Sequence, residues 1–540
     1  MLGGTLDDCW ASISTTQLHW TVLGLLPVLF IAVLGPRVRQ IWVNYVHLTK
    51  IPSPHKKDYF WFVTETTRAE FLNECARLLR KGFASGDVIR LHASWDHIVV
   101  LSPFYAERLR ADEKFSPDTF SDKEMFGAVP GFEPYRFLCT HRDLVRNVIS
   151  MRLNRCFVPA TRYLSEAIDD ALRKQMGNDS AQKNSNDVTN ILICSPLEWR
   201  EVPLAKAVLK VLTQSSFRAL QGPELCYDDE WLEIATQYIV TSVTGVTALR
   251  KIPKLLVPVI HWFHPDAIKS RQLLSRARAK LMPVYEKRKK ELSEARKKGT
   301  YRPEDADAFG WYEELADGRE YDPVVAQLTV AVAATHSTTD FMCQFLSDMV
   351  RYPEYIQPLR DELILALKEK GWKASTILQL PLLDSVMKES QRIKPVATAF
   401  MRSIAQHDVS LQDDVKIPKN ASVIVSAHSM RDATVYENPD SFDGYRFVNP
   451  TKYPESRHFS SVSVNHMGFG FGKHACPGRF FVNLETKILI VHLLLKYDWK
   501  FTTDGSPAIR TSGFDQVVDP SAKMLVRRRK EEIRIEALYE

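Results

Sequence analysis

Residues 469–479 of this 540-residue chain read Phe469-Gly470-Phe471-Gly472-Lys473-His474-Ala475-Cys476-Pro477-Gly478-Arg479, a segment that we call the cysteine loop. A lone cysteine, Cys476, follows its glycines and comes directly before Pro477 and an apolar pattern typical of a helix. Proline suits the first position of a helix, because its missing N–H costs nothing there. Unpaired N–H groups and the positive end of the helix dipole favour a thiolate at this place. The pattern therefore predicts a metal-binding cysteine.

The surroundings of this cysteine narrow the choice of metal centre. No CxxC pair and no HxxxH motif accompanies it, whereas structural zinc and iron–sulfur clusters need several protein ligands. One thiolate is enough for heme, because the porphyrin supplies the other four donors. Gly470, Gly472 and Gly478 would let the loop pass close to a flat ring, and Lys473 and His474 could meet its anionic propionates. The alternative is a buried, inert cysteine in a glycine-rich turn.

The cysteine loop resembles the heme-binding loop of the cytochrome P450 superfamily. The residues that match its pattern of aromatic, glycine, basic residue, cysteine and glycine are Phe469, Gly472, His474, Cys476 and Gly478. The resemblance implies that these five residues bind heme b and that Cys476 is the axial ligand of its iron. His474 stands where many members have Arg, and the run from Gly472 to Arg479 is similar to fungal members.

A second chemical stretch lies in the largely apolar helical pattern from Pro323 to Tyr352, where two alanines precede a histidine and three hydroxyl residues. Small residues leave room for dioxygen and substrate, while hydroxyls and a titratable side chain can pass protons. At this place the superfamily pattern runs small residue, any residue, acidic residue, Thr. Ala334 would fill the small position, His336 the acidic position and Ser337 the position of Thr. We expect His336, Ser337 and Thr338 to be catalytic, and the pattern leaves open which hydroxyl carries the proton relay. Alternatively, these hydroxyls bond their own helix backbone.

A third motif is Glu389-Ser390-Gln391-Arg392, whose Glu and Arg share a helix face and can pair. It resembles the Glu-x-x-Arg helix of the superfamily, and the resemblance implies Arg446 as a third partner. We assign Glu389, Arg392 and Arg446 to a structural network that seats the heme. Arg402 is expected to hold a propionate.

The composition is that of a globular protein, with 45% hydrophobic and 25% charged residues. The net charge of +6 comes without a basic stripe interleaved with aromatics, which argues against nucleic acid as a partner. Eight scattered cysteines favour a reducing compartment. The resemblance implies the cytochrome P450 fold, mostly α with small β-sheets, and we assign residues 58–540 to a single heme-thiolate catalytic domain.

The N-terminal region predicts a membrane anchor. Residues 18–34 are uncharged and apolar, and they follow two aspartates rather than the basic start of a cleaved signal peptide. Basic residues come after this span and hold the rest of the chain in the cytosol. We therefore expect a short lumenal N-terminus (1–17), a transmembrane anchor (18–34) and a basic, proline-containing hinge (35–57). The predicted location is the endoplasmic reticulum membrane, single-pass, with the catalytic domain cytosolic.

Three further segments carry expectations about local structure. Alternation over 88–101 predicts a pair of strands. Residues 111–135 are rich in Asp, Phe, Gly and Pro and are interpreted as a long loop, which by the resemblance borders the substrate pocket. Residues 177–190 are polar and predict a surface loop.

The resemblance implies a monooxygenase that uses dioxygen to hydroxylate or otherwise oxidise a lipophilic natural product. Similarity to the fungal ent-kaurene oxidase-like group suggests a terpenoid, meroterpenoid or indole terpenoid of secondary metabolism. The chain has no GxGxxG or flavin motif, so electrons from NADPH must arrive through NADPH-cytochrome P450 reductase, with cytochrome b5 as a second candidate partner. Two alternatives stay open: a heme-thiolate enzyme of desaturation, isomerisation or ring rearrangement, and a non-catalytic membrane heme-binding protein.

Overall fold

The computed structural model describes residues 46–56, 64–93, 96–153, 157–176, 198–253, 256–302, 306–411, 415–449, 451–454, 458–503 and 505–539. The predicted anchor at 18–34, the first part of the hinge and the 177–190 segment lie outside these ranges. Among the helices inside them, none combines the length and the apolar character that crossing a bilayer requires.

Helices make up most of the described chain. They span Glu65–Phe83 (α1), Ala106–Leu109 (α2), Pro117–Met125 (α3), Glu133–Thr140 (α4), Arg142–Asn147 (α5), Phe157–Met176 (α6), Leu204–Leu220 (α7), Gly222–Cys226 (α8), Asp229–Leu249 (α9), Val257–Ile260 (α10), Pro265–Lys297 (α11), Ala308–Ala316 (α12), Pro323–Arg351 (α13), Ile356–Lys370 (α14), Ala374–Leu378 (α15), Pro381–Ile393 (α16) and Arg479–Lys496 (α17).

The strands are short and form small sheets. They span Val88–Ala93 (β1), Asp96–Leu101 (β2), Phe115–Ser116 (β3), Arg200–Pro203 (β4), Ala399–Ala405 (β5), Val409–Ser410 (β6), Lys416–Ile417 (β7), Ser422–Ser426 (β8), Tyr497–Phe501 (β9), Ile509–Ser512 (β10), Asp515–Val518 (β11) and Lys523–Arg528 (β12). The sheet orders are β1-β2-β8-β5-β3, β4-β12-β9, β10-β11 and β6-β7. The predicted strand pair over 88–101 is confirmed, with Val88 opposite Leu101.

Helix α13 runs through the largest apolar core, which it shares with α6, α7, α9 and α17. Its start is fixed by the Asp322 side chain, which accepts hydrogen bonds from the backbone N–H groups of Val324 and Val325, both at 3.0 Å. Pro323 follows this cap at the first helical position. The predicted central helix is therefore confirmed, and it places the hydroxyl-rich segment in the middle of the protein.

The interpretation of 111–135 as one long loop is wrong. The Ser116 hydroxyl accepts a hydrogen bond from the Thr119 N–H (3.2 Å) and caps α3, and Pro117 occupies the first position of that helix. Helix α4 then begins at Glu133. A helix-start signal was therefore present in the sequence, but the many loop-forming residues around it obscured it.

Candidate active site

The cysteine loop ends in a turn that directs backbone groups at the Cys476 sulfur. Helix α17 begins at Arg479, and Gly478 precedes it. Pro477 therefore lies in this turn, and the sequence prediction that it occupies the first helical position is wrong. Burial raises the pKa of the Cys476 thiol, and the N–H groups of Gly478 and Arg479 oppose this effect only in part. The N–H groups at the start of the helix are therefore not sufficient to keep Cys476 deprotonated as the expected thiolate. A metal cation at the sulfur would hold the thiol deprotonated.

Glycines fix the path of this loop against the end of α2. Gly470 and Gly472 have φ values of 74° and 58°, a region that suits glycine. A side chain at Gly472 would collide with Arg110, whose carbonyl accepts a hydrogen bond from the Lys473 N–H (3.1 Å). These two glycines are thus explained by local packing, whereas Gly478 lies directly beside the sulfur.

His474 offers a second test of whether a cofactor fits. Its two ring nitrogens are buried and have no hydrogen-bond partner of normal geometry within the described part of the chain, although the Leu109 backbone lies near. Burial, together with Lys473 and Arg142, lowers the pKa of His474 to about 4, so the imidazole is neutral. A buried N–H without an acceptor is costly. The propionate of a bound heme is an acceptor of the required kind.

A metal site built from protein ligands alone does not suit this chemistry. Within the ranges that the structure describes, no group of three or more His, Cys, Asp and Glu side chains could hold a metal ion. The partly buried thiol of Cys476 and the unsatisfied imidazole of His474 therefore fit a heme, which brings its own nitrogen donors.

Aromatic contacts join the cysteine loop to the central helix. Phe341 of α13 stacks on Phe459 with ring centroids 4.7 Å apart, and Phe459 meets Phe469 edge-on at 5.1 Å. On another side of the loop, His466 Nε2 donates a hydrogen bond to Gln391 Oε1 of α16 (3.0 Å). The three sequence motifs therefore belong to one packed unit.

Helix α13 presents one face to a cavity of about 560 Å³. Ala333, His336 and Ser337 line this cavity. Thr338 does not line it: its side chain is 3% exposed, and its hydroxyl donates to the Ala334 carbonyl at 2.7 Å. The sequence left open whether Ser337 or Thr338 carries the proton relay. Of these two residues, the structure places only Ser337 in the cavity wall.

His336 is neutral in this setting. Burial lowers the pKa of its imidazole, Lys394 adds to that effect, and Asp340 and Asp515 oppose it. Asp340 lies one helical turn further along α13, pairs with Lys394 and accepts a hydrogen bond from the Val518 N–H (2.8 Å). A neutral imidazole can both accept and donate a proton.

The structure brings Glu389, Arg392 and Arg446 together. The Glu389 carboxylate accepts hydrogen bonds from Arg392 Nε (2.7 Å) and from Arg446 Nε (3.0 Å). The exposed fractions of the three residues are 0%, 0% and 5%. Arg392 also donates to the carbonyls of Met430 and Pro439, so the network ties α16 to the segment that leads into the cysteine loop.

Arg402 lies in the cavity wall, where its Nη2 donates to Asp515 Oδ1 (2.8 Å). Arg250 reaches the other oxygen of the same carboxylate at 3.6 Å. The propionate role of Arg402 stays a prediction, since one nitrogen of its guanidinium is used by Asp515. Sequence reasoning missed Asp515 and Arg250. The Ser512-Gly513 dipeptide between two short strands was the available signal for the hairpin that carries Asp515.

A cysteine thiol at the head of a helix, in a loop packed onto a central helix that lines a cavity with hydroxyl and imidazole side chains, is typical of the heme-thiolate class of protein. The family model for cytochrome P450 matches residues 52–527. The chain therefore belongs to the cytochrome P450 family, as the resemblance predicted. It is a monooxygenase with a heme-thiolate iron cofactor, and in this family a reductase supplies the electrons.

Several curated proteins are similar along the whole chain. One is the cytochrome P450 monooxygenase bsc5 of Alternaria brassicicola, 90% identical over 540 residues and covering 100% of both chains. The dideacetyl fusicoccin A C-19 hydroxylase of Phomopsis amygdali is 38% identical and covers 94% of this chain and 95% of its own. The fusicocca-1,10(14)-diene-8beta,16-diol C-9 hydroxylase of the same species is 35% identical and covers 95% and 98%.

Solved structures support the fold. The crystal structure of the cytochrome P450DA heme domain aligns with a TM-score of 0.62 at 16% identity, covering 89% of this chain and 98% of that one. The predicted mostly helical cytochrome P450 fold with small sheets is therefore confirmed.

Proposed function

We propose that this monooxygenase acts in fungal secondary metabolism and hydroxylates or otherwise oxidises a terpenoid, with Cys476 as the axial ligand of heme b. The observation that carries the proposal is the position of the Cys476 sulfur. It lies partly buried beside Gly478 and receives backbone N–H groups, and its loop is packed through Phe459 onto the helix that lines the cavity. Phe469, Gly472, His474 and Gly478 would then shape the seat of the cofactor.

Heme with a thiolate ligand, when bound, supplies the activation of dioxygen for insertion into a C–H bond. Residues of the chain supply the rest. Ser337 lines the cavity and its hydroxyl can pass a proton into it, while the neutral imidazole of His336 can take up or release one beside it. Apolar walls exclude water from the reacting carbon.

The substrate class follows from the cavity and from the relatives. A volume of about 560 Å³ is within the usual range for small-molecule sites. Its apolar wall includes Phe71, Phe120, Leu138, Val246, Phe400 and Phe514. Two relatives are named as hydroxylases of dideacetyl fusicoccin A and of a fusicoccadiene diol. These observations support a terpenoid of comparable size.

Electron supply and location complete the proposal. Because the chain has no flavin or dinucleotide motif, NADPH-cytochrome P450 reductase is the proposed donor, with cytochrome b5 as an accessory. Residues 18–34 are proposed to anchor the protein in the endoplasmic reticulum membrane, with residues 58–540 as the cytosolic catalytic domain.

The test uses microsomes that contain this protein and the reductase, supplied with NADPH and a terpenoid extract from a strain that lacks the gene. In isotopically labelled dioxygen, we expect one labelled oxygen atom in a new product. Consumption of a terpenoid without label in the product would instead indicate desaturation, isomerisation or ring rearrangement. If no compound is consumed although the heme is present, the protein is a heme-binding protein without turnover, and the proposal is wrong.

A further inference from the structure

Three charged side chains, Asp515, Arg402 and Arg250, meet in the wall of a cavity that is mostly apolar. Asp515 comes from β11, Arg402 from β5 and Arg250 follows α9. Arg402 Nη2 lies 2.8 Å from Asp515 Oδ1, and Arg250 Nη1 lies 3.6 Å from Oδ2. The exposed fractions of these side chains are 41% for Asp515, 29% for Arg402 and 21% for Arg250. All three line the cavity, so a bound substrate would meet this charged group.

The carboxylate of this group is ionised. Burial raises the pKa of Asp515, but Arg402 and Arg250 lower it by more, and the net shift is downward. Both arginines are held in place, because Arg250 also donates to the Glu124 carbonyl (3.2 Å) and Arg402 lies in a central sheet. The cavity wall therefore holds a fixed carboxylate, paired with two arginines, whose oxygens have lone pairs to spare.

A purely hydrocarbon ligand would be a poor occupant of such a wall. It would displace water from the ionised carboxylate without donating a hydrogen bond to it, which is unfavourable. A hydroxyl group on the ligand would replace that water with a charge-assisted hydrogen bond. A ligand carboxylate beside Asp515 would be repelled by the like charge, so a hydroxyl is the better partner for the Asp515 oxygens.

We propose that Asp515, held by Arg402 and Arg250, accepts a hydrogen bond from a hydroxyl group that the substrate already carries. The substrate is then an oxygenated terpenoid, and an earlier oxidation of the hydrocarbon must supply it. This inference rests on the proposed function and specifies its substrate class. Asp515 acts as a specificity residue: it fixes which end of the ligand lies away from the carbon that is oxidised near Ser337.

The test compares two ligands of one skeleton with the heme-loaded, full-length protein: fusicocca-1,10(14)-diene-8beta,16-diol, the compound in the name of a relative, and the parent diene without hydroxyls. Binding is followed by the ligand-induced change of the heme absorption band and by calorimetry. We expect the wild type to bind the diol at least about tenfold more tightly. Asp515→Asn should lose most of this preference, because it binds the diol more weakly and no longer penalises the diene.

Asp519→Asn is the matched control, because Asp519 lies on the same hairpin segment but pairs with Arg510 outside the cavity wall. It should keep the wild-type preference. Asp515→Ser is a second variant for the case in which Asp515→Asn does not retain heme, and the same loss is expected.

Three results would overturn the inference. If the wild type binds the diene as tightly as the diol and oxidises it with the reductase, or if the Asp515 variants keep the preference, the hydroxyl contact is wrong while the proposed function stands. If neither ligand changes the absorption band and neither is consumed, the terpenoid substrate class itself is wrong and the inference fails with it.

Discussion

The Glu389 carboxylate and the Arg392 guanidinium, one helical turn apart on α16, form two hydrogen bonds of 2.7 and 2.8 Å while both side chains are fully excluded from solvent. Arg446 binds the same carboxylate. This buried carboxylate pairs with two guanidinium groups. Removing its charge leaves both of them buried without a counter-ion. The geometry makes the cysteine loop dependent on a carboxylate that lies outside it.

Glu389→Gln should therefore destabilise the protein by about 3–5 kcal/mol, because two buried cations lose their counter-ion. We expect a lower thermal unfolding temperature and loss of bound heme, both measured on the purified protein. Glu354→Gln, the same change at an exposed glutamate, is the control and should behave like the wild type. Full heme content and unchanged unfolding of Glu389→Gln would show that the network does not seat the cofactor.

Ser337 and Thr338 should differ in their effect on catalysis. Ser337 lines the cavity, whereas the Thr338 hydroxyl is buried and donates to the Ala334 carbonyl. We expect Ser337→Ala to reduce the product formed per NADPH consumed by about tenfold or more, with reduced oxygen released as peroxide instead. Thr338→Val, which keeps the shape and removes the hydroxyl, should remain close to the wild type. The reverse ranking of the two variants would assign the relay to Thr338.

Glu485 should make stability dependent on pH. It lies on α17, fully buried, where Ser215 and Ser216 donate to its Oε1 at 2.6 and 2.7 Å, and burial raises its pKa to about 7. In the unfolded chain the Glu485 carboxyl loses its proton at about pH 4.3, whereas in the folded protein it keeps the proton up to about pH 7. Stability from this group is therefore present at low pH and is lost as the pH rises between these values, by about 4 kcal/mol in total.

Glu485→Gln stays neutral at every pH and should avoid this loss. Its unfolding temperature should exceed that of the wild type increasingly between pH 5 and 8, as measured by thermal scans at a series of pH values. Glu354→Gln again serves as the exposed control. Parallel pH profiles for Glu485→Gln and the wild type would show that the carboxyl is not protonated in the fold.

The sequence predicts those parts of the site whose residues are local in the chain. The cysteine loop, the hydroxyl-rich segment of α13 and the pair of Glu389 and Arg392 are each encoded within a few neighbouring positions. The pair of Asp515 and Arg402 joins residues 113 positions apart, and no periodicity or motif encodes such a contact. It depends on how the β10-β11 hairpin packs against the five-stranded sheet.

Local signals also failed where two of them competed. Ser116 and Pro117 form a helix start, but the glycines and prolines of 111–135 favoured a loop. Pro477 fits a first helical position, yet α17 begins two residues later, at Arg479, with Gly478 before it.

The central claim is that the sulfur of Cys476 binds the heme iron, and the spectrum of the reduced protein with carbon monoxide tests it most directly. The wild type and Cys139→Ser, a change at a partly buried cysteine away from the loop, should both show the red-shifted Soret band of a thiolate-ligated heme. Cys476→Ser should lose that band. A red-shifted band in purified Cys476→Ser, or a wild-type protein without porphyrin, would contradict the account.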